Sequence, residues 1–331
     1  MNSNAQVAVD NPALNISAAS LRRHNLWDAL LRNATRTAAI TVLILLGGVI
    51  ASLIQGSTPA IKAFGFGFLT SSDWNPVTDK FGALPAIYGT LVTSFIAMLI
   101  GIPVSLGIAV FITELCPRWL KRPVSTAIEL LAGVPSIIYG IWGLFVLAPF
   151  LQSHVQPLLI DLFGHVPLFS TLFAGPPYGI GILTAGVILS IMVLPYITSV
   201  TRDVFETVPA VLKESAYGLG CTTWEVVRNV VLPFARTGVI GGVMLGLGRA
   251  LGETMAVTFV IGNAHKIASS ILAPGTTISA SIANEFTEAE TDLYNSALIE
   301  LGLILFVITF VVLACARLML LRMERLAGTR T

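Results

Sequence analysis

Residues Glu214–Pro233 read E-S-A-Y-G-L-G-C-T-T-W-E-V-V-R-N-V-V-L-P, a short polar interlude set between two long apolar segments. Thr207 is placed to cap a first helix with Pro209 near its first turn, and Gly218 and Gly220 supply a sharp turn. Thr222 and Glu225 then have the spacing of a capping box, which starts a second short helix running to Pro233. The expectation is a helix–turn–helix knob on the surface of a membrane protein, a shape that another protein can grip.

The rest of the chain sets that knob in its context. Of 331 residues, 55% are hydrophobic and 11% charged, and the mean hydropathy is +0.83. A soluble domain carries about 25% charged residues, so the class is an all-α polytopic membrane protein. A span needs roughly 20 mostly apolar residues, and six stretches qualify: Thr37–Gln55, Leu84–Ile112, Val124–Leu151, Tyr178–Val200, Thr237–Ile261 and Asn295–Leu320. Pro103, Pro135 and Pro149 fall inside the longer ones, which implies that they tilt, kink or lie partly outside the hydrocarbon. Pro157–Pro177 is apolar but broken by Gly and Pro, and reads as an interfacial loop, with re-entry as the alternative. The expected organisation is a tail 1–36, a first span and outer loop 37–83, a core 84–320 carrying the loop 201–236, and a tail 321–331. Arg22 and Arg23 stand well before a run long enough to span, which suits an uncleaved anchor.

Orientation follows from Lys and Arg placement. One side receives Arg22, Arg23, Arg32 and Arg36, then Arg118, Lys121 and Arg122. Next come Arg202, Lys213, Arg228 and Arg236, and finally Arg317, Arg322, Arg325 and Arg330. The other side receives Lys62, Lys80 and Lys266. Fifteen against three puts both termini and the Glu214–Pro233 loop in the cytoplasm. The outer loop Ile267–Asp292 is acidic (Glu285, Glu288, Glu290, Asp292), either a solvated surface or a landing site for an external partner. Cys116, Cys221 and Cys315 have no metal or redox spacing and read as packing residues. His24, His154, His165 and His265 are scattered, so neither a metal cluster nor a nucleophile–base set is legible, and nothing points to a resident cofactor or to nucleic acid.

Inside the fifth span, G-L-G-R-A-L-G-E-T-M-A-V places Arg249 and Glu253 near the midplane. A charge there costs at least ~2.5 kcal/mol, so it should face protein or a wet cavity. Four residues apart, the two are expected to share a helix face and pair, although Arg before Glu is the weaker order. They are a neutralised structural pair or the lining of an anion path. In the second case Arg249 offers a planar fork to an oxyanion and Glu253 keeps the site from trapping it. Gly241, Gly242, Gly246, Gly248 and Gly252 allow close helix packing or a narrow passage. Glu129, near the cytoplasmic edge of the third span, is placed to reach the interface or a cationic partner.

The Glu214–Pro233 loop resembles the EAA loop of ATP-binding-cassette (ABC) importer permeases. Glu214, Ser215 and Ala216 are followed after three residues by Gly220, and nine later by Val230, Val231, Leu232 and Pro233; Ser and Val replace the usual Ala and Ile. Together with E-L-L-A-G-V-P-S-I-I-Y-G-I-W-G (Glu129–Gly143) and G-R-A-L-G-E-T-M-A-V (Gly248–Val257), the core from Leu84 to Leu320 is similar to phosphate-importer permeases of the PstC type. The resemblance implies a type I ABC importer permease fold in a bacterial inner membrane, passing phosphate. It implies four kinds of partner beside lipid: a PstA-type second permease, a pair of PstB-type ATPase subunits, a PstS-type periplasmic phosphate-binding protein and the ion itself. It assigns Glu214, Ser215, Ala216, Gly220, Leu232 and Pro233 to ATPase docking, and Arg249 and Glu253 to the substrate path. The chain carries no G-x-x-x-x-G-K-[ST] loop, so the subunit is expected to be non-catalytic, with ATP hydrolysis in a partner. Permeases for phosphonate, sulfate or molybdate share the EAA loop, and a secondary transporter would also place charge in a span; the latter predicts matched broken repeats, which are not seen.

Overall fold

The structure, a computed structural model, describes residues 18–164, 166–167 and 169–328, with side chains described from Leu26 to Arg322. The expected tails and His165 therefore lie partly or wholly outside the described residues. Ten principal helices follow in order: α1 (Ala18–Phe64), α2 (Leu84–Leu115), α3 (Arg118–Gly133), α4 (Ser136–Phe163), α5 (Ile182–Glu206), α6 (Ala210–Gly218), α7 (Thr223–Gly252), α8 (Met255–Val260), α9 (Ile278–Glu285) and α10 (Asp292–Gly328). Among the described residues, six segments are long and apolar enough to cross a membrane: Leu26–Phe64, α2, α4, α5, α7 and Asp292–Arg322. The chain divides into two units at Gln55 and Gly56. The first is the leading part of α1, whose apolar residues Leu43, Ile44 and Leu45 are exposed, as suits a lipid-facing helix.

In the second unit α5 is the central element. Two-thirds of its most apolar window is buried (67%), against 39% or less for the other spans. Ile188, Leu189, Met192, Val193 and Ile197 form the core with Ala97 and Met98 of α2, Ala250 of α7 and Val257 and Val260 of α8. Glycines bring the helices close: a Cβ on Gly186 would lie 2.6 Å from Ile96, and one on Gly246 2.7 Å from Ile197. Pro59 lies within α1, and Ser296 of α10 bonds to the backbone on either side of it. Its hydroxyl oxygen accepts from the Ala60 N–H (3.0 Å) and donates to the Gly56 carbonyl (2.8 Å). Those two groups are the i→i−4 pair of an uninterrupted helix.

Two prolines act against the sequence expectation. The third span does not begin at Val124: Val134, held extended (ψ 126°) before Pro135, ends α3, and a new helix starts at Ser136. Glu129 thus lies on a separate amphipathic helix. The expected loop from Pro157 is helical to Phe163, after two wide π turns at Gly143–Leu147 and Leu151–Val155. Conversely, the helix beginning at Thr223 does not stop at Pro233 but runs on to Gly252. A π turn at Val227–Val231 widens the helix where the proline ring would crowd the carbonyl four residues back.

At the end of the bundle opposite α6, two loops and α10 meet on Glu285 of α9. Its carboxylate accepts from Trp74 Nε1 (2.7 Å) and Tyr294 Oη (2.5 Å), and lies 2.6 Å from His265 Nε2. Trp74 stacks flat on His265, and Phe81 on Tyr294, with centroids 4.9 and 5.0 Å apart. Behind them Phe68, Ala86, Ile278, Leu298 and Leu301 close an apolar cluster.

Candidate functional site

Arg249 lies in the last turn of α7. The helix ends at Gly252 and Glu253 is extended (φ −70°, ψ 130°), so the two do not share a continuous helix face as their spacing suggested. They still approach, Nη2 to Oε2 being 3.7 Å, too long for a hydrogen bond. The guanidinium instead rests on the Tyr196 ring of α5, 4.7 Å from its centroid, a contact worth about 0.5–2 kcal/mol. Nε of Arg249 is buried without a hydrogen-bond partner. Glu253 is 7% exposed and Arg249 35%, so the carboxylate is held back while the cation looks into open space.

That space is a cavity of about 610 Å³ between α5, α7 and α10, bounded in part by Tyr196, Gly241, Gly248, Thr309 and Leu313, with Arg249 the one charged residue in its lining. The glycines of α7 divide accordingly. Gly242 and Gly246 pack on Val200 and Ile197, whereas Gly241 and Gly248 leave room on the cavity side. Chemically this is a single cation with unspent donors on the wall of an open cavity, suited to a small oxyanion. Among the described residues no group of His, Cys, Asp or Glu is placed to hold a metal ion.

Tyr196 also donates to the Ala132 carbonyl (3.5 Å), and Tyr139 of α4 donates to the Leu131 carbonyl (2.9 Å). Both acceptors are last-turn carbonyls of α3, which Pro135 stops; that of Leu131 also accepts from the Val134 N–H (3.4 Å). Tyr196 therefore links the Arg249 site to the amphipathic helix. Sequence reasoning missed it: a lone tyrosine after Pro195 carries no motif, and its contacts are tertiary.

At the far end of α7 stands the hairpin of α6 and the first turns of α7. Thr207 does not cap α6, since its hydroxyl donates backward to Val204 at the end of α5 and Pro209 takes the cap position. The turn is a complete Schellman closure: Gly220 (φ +85°) bonds back to the Tyr217 carbonyl and Cys221 to that of Ala216. The expected capping box is present, with Thr222 Oγ1 accepting from Glu225 N and Glu225 Oε2 accepting from Thr222 N (2.8 Å). Ala216 and Leu232 pack on the underside against Val226, Val231 and Phe205. Glu214, Ser215, Gly220 and Pro233 are exposed. So are the apolar Leu219 (86%), Val211 (69%) and Trp224 (67%).

Among the described residues, three ion pairs join different helices at this end. Lys213, next to Glu214, meets Glu114 at the end of α2 (2.6 Å), and both are largely buried. Arg202 of α5 meets Glu129 of α3 (2.7 Å), the cationic partner expected for that carboxylate. Lys121 meets Glu206 (2.8 Å).

Residues 101–325 match the family described as "Binding-protein-dependent transport system inner membrane component". A curated protein of Mesorhizobium japonicum, "Phosphate transport system permease protein PstC", is 67% identical over 94% of this chain and 95% of its own. One of the same name from Pasteurella multocida is 58% identical over 93% and 96%. Among solved structures, a bacterial ABC transporter involved in import of the acidic polysaccharide alginate aligns with TM-score 0.59 and 20% identity, over 90% of this chain and 99% of that one.

Proposed function

This chain belongs to the family of binding-protein-dependent transport system inner membrane components, and on that premise we propose that it is the PstC-type permease subunit that carries phosphate through an ATP-driven importer. The helical fold is that of type I ABC importer permeases, and the protein is a multi-pass inner-membrane component. Phosphate, rather than another oxyanion, is favoured by the names of the two relatives described above.

The observation that carries the reading is Arg249. A guanidinium braced on Tyr196, with Nε unpartnered and Glu253 too distant for a hydrogen bond, faces a cavity it alone charges. An oxyanion entering that cavity meets a planar fork rather than a point charge. Glu253 lowers the net attraction, so the ion leaves again. The exposed apolar tip of the α6–α7 hairpin is the docking element for a partner ATPase, through Glu214, Ser215, Ala216, Gly220, Leu232 and Pro233. A second permease completes the pore, and an external binding protein delivers the ion. The Lys and Arg distribution supports a cytoplasmic hairpin and cytoplasmic termini. The subunit itself performs no catalysis.

The test is radiolabelled phosphate uptake into proteoliposomes holding the whole importer, with binding protein outside and ATP inside. ATP-dependent uptake is expected, lost in Arg249→Ala while the complex still assembles. Retained uptake in that variant overturns the path role. Uptake without ATP overturns the ABC assignment, and ATP-driven uptake of another oxyanion alone overturns the substrate.

A further inference from the structure

The end opposite the hairpin is poor in positive charge. Its loops carry Asp73, Asp79, Glu288 and Glu290 in addition to Glu285, against Lys62, Lys80 and Lys266. An anion approaching such a face is repelled on average. Two of the three lysines nevertheless converge: Lys80 and Lys266 line one pocket of about 800 Å³ between the segments 72–80 and 265–267. Neither is engaged in an ion pair among the described residues.

The wall of this pocket is built firmly. Glu285 is committed to Trp74, Tyr294 and His265, which fixes the stacked Trp74–His265 pair that forms one side. His265 Nδ1 is left buried without a partner. Asn75 also lines the pocket, and its Oδ1 accepts from the Val77 N–H (3.0 Å), so its amide nitrogen retains two donors. Ser72 adds a hydroxyl, and Asp73 supplies one opposing charge. The composition parallels the Arg249 site: cationic donors in a concave space, tempered by a carboxylate. Lys80 and Lys266 are exposed, and donors gathered around a concave wall suit a small ion better than a flat protein surface.

We propose that the Lys80–Lys266 pocket is an outer binding station for a phosphate-type oxyanion, held before it reaches Arg249. The identity of the ion rests on the phosphate reading above; the pocket rests on the two lysines. The same chemistry is offered by free phosphate and by a phospholipid headgroup, and free phosphate is the expected occupant.

The experiment is equilibrium binding of radiolabelled inorganic phosphate to the assembled importer in phosphatidylcholine nanodiscs, without binding protein. The background is Arg249→Gln, which removes the inner fork. Phosphate is expected to bind, to lose affinity about tenfold or more in Lys80→Gln/Lys266→Gln, and to gain affinity in Asp73→Asn. Equal binding with and without the two lysines overturns the station even where uptake remains phosphate-specific. Lysine-dependent binding of sulfate or molybdate but not phosphate keeps the station and overturns the phosphate reading. Displacement of labelled phosphate by added phosphatidylglycerol, in the form with both lysines, assigns the pocket to a lipid headgroup and overturns free phosphate as its occupant.

Discussion

The two ends of the bundle are held by different chemistry. Opposite the hairpin, Trp74, His265, Tyr294 and Glu285 form one buried knot, backed by stacked aromatics and an apolar cluster. At the hairpin end, α3, α5 and α6 are tied by separate ion pairs, of which Lys121–Glu206 is half exposed and Glu129 is 54% exposed. A buried network loses several bonds together when one member goes, whereas exposed pairs in high dielectric form and break singly. The lesson is mechanical: the first end holds as a unit, whereas the ties of the second can be broken one at a time.

The sharpest break in that contrast is Glu285→Ala. It leaves the Trp74 and Tyr294 donors and the His265 Nε2 position without their acceptor. At about 1–3 kcal/mol per unsatisfied buried group, destabilisation of about 3 kcal/mol or more is expected, read as a large drop in melting temperature followed by tryptophan fluorescence. Acid sharpens the same point. Burial pushes the Glu285 carboxyl up, but hydrogen bonds from His265, Tyr294 and Trp74 outweigh it and hold the group below its ordinary 4.5. A depressed folded value means that the stabilisation is complete above the unfolded pKa and is lost as pH falls through the folded one. Glu285→Gln should therefore flatten the acid limb of the stability profile below about pH 4.5.

Next comes the one buried tie at the hairpin end. Glu114→Gln strands the Lys213 ammonium, whose side chain is 19% exposed. Breaking a fully buried pair costs about 3–5 kcal/mol; with the lysine partly wet, about 1–3 kcal/mol is expected, checked by chemical denaturation. ATP-driven uptake should fall further than stability does, because α6 is no longer fixed to α2. Gly220→Val follows. A side chain there meets nothing within 4 Å, so only the φ of +85° opposes it. The left-handed region costs a β-branched residue about 1–2 kcal/mol. The expected outcome is an assembled complex with lost ATP-driven uptake, and Gly220→Asn, which tolerates that region, should retain more.

Features written in local spacing were legible in the sequence. The capping box at Thr222 and Glu225 needs three residues, and six spans need only hydropathy summed over each helix. The approach of Arg249 to Glu253 was legible too, although the reason given for it was not, since the helix stops between them. Prolines misled because their effect depends on what precedes them. Val134 takes the extended form that Pro135 demands, whereas a π turn absorbs Pro233. Tyr196 under Arg249, and the convergence of Trp74, His265 and Tyr294 on Glu285, depend on side chains from segments far apart in the chain. No periodicity announces such contacts before the helices are packed.

The smallest expected effect tests the flexible half of the contrast. Glu129→Gln removes the partner of Arg202, but Arg202 also bonds Asp203 through Nε (3.0 Å) and Nη2 (2.8 Å). The guanidinium is therefore not stranded, and the Glu129 end of the pair is open to water. Stability should fall by no more than about 0.5–1 kcal/mol. A double-mutant cycle on Glu129 and Arg202, read by thermal unfolding, should return a coupling within that range and smaller at high salt. Transport is the more telling readout. If α3 moves against α5 during turnover, loosening this pair should change the ATP-driven uptake rate while hardly moving the melting temperature. A coupling of several kcal/mol would make the hairpin end as fixed as the aromatic knot and remove the distinction between the two.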